Sequence, residues 1–478
     1  MEVSITINYH YNYIEKKVNG DIYIQDEVEV TSEASIIIKS PKIRNNYIFL
    51  SWNTNNDGSG INYFPGDEVS EDLTLWAIWE PVTYLTTHST LTSIANTIRA
   101  NNGESTLYSF PEGFINGIEN IENPLFFSYV NGTLISINLS NVFNIPQYAF
   151  TYFSELTIVN FPVCTTIESK AFGNCDNLTS INFPACTTIG NSAFTDCYNL
   201  TSINFPACTT IGSSAFYNCS NLTSINFPAC TTIGSSAFEN CNYLTSINFP
   251  ACTTIESSAF YLCENLTSIS FPVCTTIGYY AFWGCPSLTS INFPVCTTIG
   301  SSAFGECDNL TSVNFPVCTT IGSYAFEYCF NLTSVNFPAC TTIESSAFYK
   351  CSNLTSISFP VCTTIGYYAF GSCSRLTSID FPVCTTIGSY AFEYCNNLTS
   401  ISFPACTTIE TYAFGYCSNL TSIYLNNSSV CYLKSSYAFY ATQITSTTGS
   451  IYVPASLLTE YQSAPKWSYF STRFFSIP

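Results

Sequence analysis

Three kinds of side chain in this sequence could do chemistry: 25 cysteines, 32 carboxylates and 2 histidines. The histidines, His10 and His88, both precede the most regular part of the chain. Neither has a candidate nucleophile and a carboxylate beside it in sequence, the partners a histidine base needs to activate a hydroxyl or thiol. The cysteines form no CxxC pair and no histidine accompanies them, so they lack the ligand spacing of a zinc site. Paired carboxylates could build a glycosidase, but Glu239, Glu264, Glu306, Asp308, Glu327 and Glu393 read as scattered, solvated substitutions. The serines and threonines recur identically many times over and cannot all be nucleophiles, and no P-loop, GxSxG, HExxH or dinucleotide fingerprint appears. The residues predict a protein that is not an enzyme and uses no metal or cofactor.

The cysteines are nonetheless placed by a strict rule. Twelve occupy one column from Cys164 to Cys406, twelve a second from Cys175 to Cys417, and Cys431 is left over. Both columns follow a 22-residue unit, LTSINFPACTTIGSSAFYNCSN with small edits, which starts at Leu134 and recurs in fixed register to Leu420, fourteen starts in all. A fixed period of this size predicts a stacked solenoid. Apolar residues fall at unit positions 1, 4, 6, 9 and 12, as in Leu178, Ile181, Phe183, Cys186 and Ile189. That spacing, LxxLxLxxCxxL, resembles the leucine-rich repeat. The second half, GxxAFxxC as in Gly190, Ala193, Phe194 and Cys197, narrows the resemblance to the BspA-like class.

The same residues support a solenoid on physical grounds alone. Ile181 and Phe183 alternate with Ser180 and Asn182, so a strand there turns one pair inward and the other outward. Pro184 ends the strand because it has no N–H to donate. One coil cannot bury its apolar residues, but copies stacked at about 4.8 Å enclose each of them, and fourteen such coils make a rod or arc about 65 Å long. The predicted fold class is therefore mainly β: a leucine-rich-repeat solenoid of about 14 coils of 22 residues, preceded by a small β-grasp-like domain and a short helical pair.

Ends of the stack are also legible. The coil from Leu134 keeps Ile137, Leu139, Ile145, Ala149 and Phe150 but has Val142 and Phe153 in place of cysteine, and reads as an N-terminal cap. After Asn426 to Ser429 the register breaks, moving the cysteine to Cys431 and the Ala-Phe pair to Ala438 and Phe439. The following tail is expected to close the core with Tyr452, Leu457, Leu458, Tyr461 and Trp467; it resembles the terminal segment of repeat proteins from gut bacteria and their phages.

Stacked cysteines in one column would have parallel rather than facing Cβ vectors, which disfavours disulfides and predicts free buried thiols acting as small apolar fillers. So many reduced thiols suit a cytosolic assembly history or an anaerobic habitat. The net charge of −20, with Lys350 and Arg375 the only basic residues between Ala171 and Leu433, repels phosphate backbones and bare anionic membranes, so nucleic acid is excluded as a partner. No run of 18 apolar residues predicts membrane insertion, and the first residues lack the apolar core of a signal peptide, which makes general secretion doubtful for a complete chain.

Ahead of the repeats, residues 1–82 alternate like strands between turns such as Asn19-Gly20 and Asp57-Gly58. The stretch carrying Trp52, Gly58, Gly60, Tyr63, Pro65, Gly66, Leu73 and Trp79 resembles the internalin-type B-repeat, or Listeria–Bacteroides repeat, which implies a β-grasp-like module of bacterial surface proteins. Residues 83–125 read as two short helices, one capped by Ser89 or Thr90 and ended by Gly103, the other opened by Pro111. This pair resembles a segment of phage tail and virion-associated proteins; a plain hinge is the alternative. The domain boundaries are then 1–82 for the B-repeat module, 83–125 for the helical adaptor, 126–155 for the capping repeat, 156–425 for the solenoid and 426–478 for the C-terminal cap.

With catalysis set aside, binding must come from what varies between coils. Unit position 5 is nearly always Asn or Ser, so the face it lines, expected to be the concave one, carries little information. Variation gathers before the Ala-Phe pair and around the second cysteine. There the candidate binding strip is Tyr261, Tyr279, Tyr280, Trp283, Glu306, Tyr328, Phe330, Tyr349, Tyr367, Tyr368 and Tyr394. Exposed Tyr and Trp offer large contact area at low entropic cost; the alternative is that they stack on one another and seal the edge. The expected function is non-enzymatic surface recognition or adhesion, first as a host-binding tail or fibre component on a virion surface. The alternatives are a BspA-like adhesin on a bacterial or protist cell surface, or secreted, and a structural spacer without ligand. Expected partners are a cell-surface glycan or protein, with other virion or surface proteins joined through the N-terminal region.

Overall fold

The computed structural model describes residues 142–446 and 448–477, and before them the strands between residues 5 and 138. In the N-terminal unit, a five-stranded mixed sheet runs in the order Glu27–Thr31, Ile5–His10, Leu73–Pro81, Tyr47–Asn53, Asn62–Tyr63. Its central pair, Ile5–His10 with Leu73–Pro81, is parallel, and Leu75 is fully buried. The hairpin of Phe126–Val130 with Thr133–Asn138 belongs to this unit, whereas Leu139 onward belongs to the second. The predicted helical pair at 83–125, His88 and the side chains of Trp52 and Trp79 lie outside the described residues.

The second unit is a parallel-strand solenoid built on the 22-residue period. Each coil makes two short strands, such as Ser202–Asn204 and Thr210–Ile211, and each pairs with its equivalent 22 residues on. The first Leu, the Phe before the Pro, both cysteines, the Thr-Thr-Ile isoleucine and the Ala-Phe pair are buried in every full coil, as the spacing requires. Both Phe columns form stacks: Phe194 lies 5.3 Å from Phe216 at 3°, and Phe205 lies 5.4 Å from Phe227 at 8°. Phe194 also meets Phe183 edge-on at 6.1 Å, so the columns interlock along the core.

The unbroken sheet is not the one that the LxxLxL half singles out. The two-residue Thr-Ile strands form one parallel ladder of 14, from Asn144–Ile145 to Tyr432–Leu433. The Ser-Ile-Asn strands break into groups of two to four. Ring spacing follows the same grouping. Paired strands lie about 4.8 Å apart, but the Phe rings behind the Ser-Ile-Asn strands are 5.4 Å apart within the pair at Ser202–Asn204 and Ser224–Asn226, and 5.9 Å across the gaps on either side. The wider ring spacings thus coincide with the gaps between strand groups.

The return path is made of two consecutive turns whose backbone alternates its hydrogen bonds. Ser192, Phe194 and Asp196 donate N–H to Ser213, Ala215 and Tyr217 in the next coil at 2.8–2.9 Å, whereas Ala193 and Thr195 donate back to Gly190 and Ser192. To do so, unit positions 15 and 19 take left-handed backbone conformations, at φ 55° for Ser192 and 58° for Asp196. Coils approach so closely beside the ladder that a Cβ on Gly300 would lie 2.6 Å from the Gly278 carbonyl carbon.

At the amino end of the stack, Val142 and Phe153 are buried in the cysteine positions, with Phe153 edge-on to Phe150 at 5.7 Å. At the carboxyl end, Ser450–Val453 extends the Ser422–Tyr424 ladder and is itself paired by Phe474–Ser476. The last cysteine coil has no successor, and the cap supplies what one would have offered. The Tyr461 hydroxyl accepts from the Cys431 N–H at 2.9 Å, and the Trp467 indole donates to the Cys431 carbonyl at 2.7 Å. Both rings are buried, as expected; Tyr452, Leu457 and Leu458 are half-buried.

Candidate functional site

All 25 cysteines are buried thiols, and each column has its own acceptor. In the first, the thiol donates to the Thr carbonyl two residues on, as from Cys186 to Thr188 at 3.3 Å; in the second, to a Phe carbonyl 25 residues back, as from Cys197 to Phe172 at 3.3 Å. Cysteine thus supplies a small apolar body with a weak donor aimed at a main-chain oxygen. Burial pushes the thiols up from their ordinary value near 9, to about 11 at Cys164 and about 12 at Cys208 and Cys417. The thiols of both columns stay protonated and inert at neutral pH.

Parts of the Asn row are paired from coil to coil. Asn314 donates to Asn292 at 2.6 Å and Asn226 to Asn204 at 2.8 Å, and further along Ser358 donates to Asp380 at 2.8 Å. These amides hold adjacent coils in register.

Left-handed positions give the aromatic strip its special character. Tyr280, Tyr324, Tyr368, Tyr390 and Tyr412 occupy the first such position of their coils, and Tyr328, Tyr394 and Tyr416 the second. Tyr148 and Tyr152 hold both places in the capping coil; the coils between have Ser192, Ser214, Ser236 and Ser258 at the first and Asp196, Asn218 and Asn240 among those at the second, and Ser302 and Ser346 interrupt the later tyrosines. Asn and Asp tolerate this conformation, whereas a bulky side chain there is a genuine outlier costing about 1–3 kcal/mol. From Tyr280 onward, the chain repeatedly places large rings where its backbone disfavours them.

The structure gathers the candidate residues into two clusters. In the first, Tyr261 stacks on Trp283 at 4.9 Å, Tyr280 meets Tyr261 edge-on at 6.5 Å, and Trp283 covers Gly305, where a Cβ would come within 2.7 Å of the indole. In the second, Tyr328 contacts Phe330 and Tyr349; Tyr349 meets Tyr368, which stacks on Tyr390 at 4.7 Å, and Tyr390 on Tyr412 at 5.1 Å. Lys350 sits 4.8 Å over the Tyr328 ring. Tyr394 stacks on Tyr416 at 4.6 Å. Glu306 is exposed in the coil between the clusters; burial and then Asp308 push its carboxyl above the usual range. Glu393 is buried, 7% exposed, and hydrogen-bonded by the Tyr368 hydroxyl; burial raises its pKa. Within the strip, Tyr261, Trp283, Tyr328, Tyr349 and Tyr368 are half-buried, while Tyr279, Tyr280, Phe330, Tyr367 and Tyr394 are exposed.

The sequence reading passed over one place. On the Thr-Ile side, a groove of about 460 Å³ runs along the coils from Glu256 to Glu344, floored by Gly278, Gly300 and Gly322 and flanked by Tyr279. Its signal lies at unit position 13, where Glu168, Glu256 and Glu344 stand four coils apart with glycines between.

The sequence pattern of the family described as "BspA type Leucine rich repeat region" matches in six overlapping copies, over residues 79–201, 119–243, 187–298, 231–353, 275–383 and 341–459. No curated protein matches. Among solved structures, a leucine-rich repeat protein from Bacteroides ovatus is similar at 22% identity and a TM-score of 0.50, covering 75% of this chain and 100% of its own. A leucine rich cell surface protein from Faecalibacterium prausnitzii is similar at 24% identity, TM-score 0.39, over 72% and 95% of the two chains. The pneumococcal vaccine antigen PcpA is similar at 16% identity, TM-score 0.40, over 73% and 85%. With its 22-residue coils, its Ala-Phe and cysteine columns and a family match spanning most of its length, the chain belongs to the BspA-type leucine-rich repeat family.

Proposed function

We propose that this chain is a non-enzymatic recognition and adhesion protein displayed at a bacterial cell surface, with the aromatic edge of its solenoid meeting a glycan or protein of another cell. The observation that carries the reading is the repeated choice of tyrosine, from Tyr280 to Tyr416, at left-handed positions where asparagine or aspartate would fit at lower cost. Rings kept against their backbone preference fit a demand for contact area at the surface. The uniform core and the partly self-paired Asn row offer a partner little. Membership of a family whose similar structures include a cell surface protein supports the location. The reading as a virion tail or fibre component stands second: it rests on the helical-pair resemblance at 83–125, outside the described residues.

The test has two arms. Protease and antibody access to the native chain on intact cells should match that of known surface proteins, and purified chain should adhere saturably to at least one type in a panel of bacterial and epithelial cells. A chain protected until the cells are lysed, or one that adheres to nothing, would overturn the proposal; recovery from purified virions would favour the second reading.

A further inference from the structure

We infer that the groove on the Thr-Ile side is a binding site for an uncharged, extended oligosaccharide. Every coil carries two consecutive threonines there, and they behave differently. The hydroxyl of the first donates to the carbonyl of its equivalent one coil back, as Thr275 to Thr253 at 3.2 Å and Thr297 to Thr275 at 3.3 Å. The second threonine points away from the buried isoleucine into the groove, and the hydroxyls of Thr254, Thr276, Thr298 and Thr320 take no partner among the described residues. They form a row of donor-acceptors at strand spacing, about 4.8 Å.

What surrounds this row selects the ligand. Glu256 and Glu344 bound the groove about 19 Å apart, four coil spacings. Each turns one carboxylate oxygen back to the previous coil, where Oε2 accepts from the main-chain N–H and hydroxyl of Ser235 or Ser323 at 3.0 Å. That fixes the side chain and leaves Oε1 as an acceptor. Between them the glycine floor lets a ligand approach the backbone, and Tyr279, 60% exposed, offers a ring face at the rim. The volume suits a small ligand.

A row of hydroxyls, two acceptor oxygens and one exposed ring match the alternating hydroxyls and C–H faces of a sugar chain. No basic residue lines the groove, and the net charge is −20, so an anionic polymer is excluded. A peptide adding as a strand has nothing to pair with, since Thr276–Ile277 is already bonded to Thr254–Ile255 on one side and Thr298–Ile299 on the other.

The inference rests on the recognition reading and deepens it. The whole chain is titrated calorimetrically with neutral glucan and N-acetylhexosamine oligomers, after a glycan array has ranked them. Thr276→Val combined with Thr298→Val removes two hydroxyls from exposed sites without changing shape, and should weaken binding at least tenfold. Thr188→Val with Thr210→Val, in the same column outside the groove, should leave binding unchanged, and equal melting temperatures show that both variants fold. Tyr279→Ser should weaken binding as well. Absence of binding to every neutral oligomer, equal binding by the groove pair, or groove-dependent binding of an oligolysine peptide instead would each overturn the inference. Adhesion to cells without oligosaccharide binding removes the groove and leaves the surface reading standing; oligosaccharide binding without adhesion does the reverse.

Discussion

At the scale of single residues, the chain uses ordinary side chains in unusual backbone and solvent environments. A thiol whose folded pKa is raised is stabilising below its unfolded value and loses that contribution as pH climbs past it. With thiols raised from about 9 to about 11 at Cys164 and about 12 at Cys208, stability should stay level below pH 9 and fall steeply above it. Each such thiol then withdraws about 1.4 kcal/mol per pH unit. Chemical unfolding monitored from pH 7 to 10.5 checks this; a midpoint that does not move above pH 9 would contradict it. Disulfide-specific thiol counting should find almost no reactive cysteine in the folded chain at pH 8 and 25 after unfolding without reductant. The tyrosines make a second case. Tyr324 is exposed at φ 61° and lies in none of the ring stacks, so Tyr324→Asn should stabilise by about 0.5–1 kcal/mol by relieving the left-handed ring. Tyr390→Asn should gain less or lose stability, because Tyr390 stacks on both Tyr368 and Tyr412. Denaturant titration of the two variants separates strain from stacking.

Elements of this protein are stable only through their neighbours, because two- and three-residue strands have no independent existence. Removing one whole unit, residues 288–309, restores every contact in register and should leave a cooperative fold. Removing four residues of a unit would set threonine, serine and glycine positions against both Phe columns and abolish it; circular dichroism melts distinguish the outcomes. The C-terminal cap is the sensitive end: Trp467→Ala loses a buried ring and the hydrogen bond to the Cys431 carbonyl, and should cost about 3–5 kcal/mol. Much of this was legible in the sequence, since period, buried columns and both caps follow from spacing alone: Val142 and Phe153 read as a cap because they break a cysteine pattern. Two features were not. Left-handed turns have a compositional trace in Ser192 and Asn218, but Tyr324 and Tyr328 erase it, because conformation there is imposed by the stack rather than by the residue. The grouping of the Ser-Ile-Asn strands alternates over successive coils, which no single unit displays.

For the whole molecule, repetition separates stability from recognition. Fixed positions fill a core that any number of coils could share, so differences between coils are free to serve a partner at the edge and in the groove. Of the proposed strip, the sequence identified the aromatic residues but not which stand clear of the stacks, since exposure depends on the ring one coil away. The groove escaped notice because its threonines are identical in every coil and its Glu-bounded glycine floor repeats the stretch from Glu168 to Glu256, with Tyr279 in place of Asn191. The most direct test exchanges exposed rings for the serine that this chain itself uses at equivalent positions. Tyr280→Ser, Tyr367→Ser and Tyr394→Ser, combined in the full chain, match Ser258, Ser345 and Ser372 and should leave the fold intact. Adhesion of this variant to cells bound by the unaltered protein should fall at least tenfold while a single cooperative melt is kept. Undiminished adhesion by a folded triple variant would contradict the account.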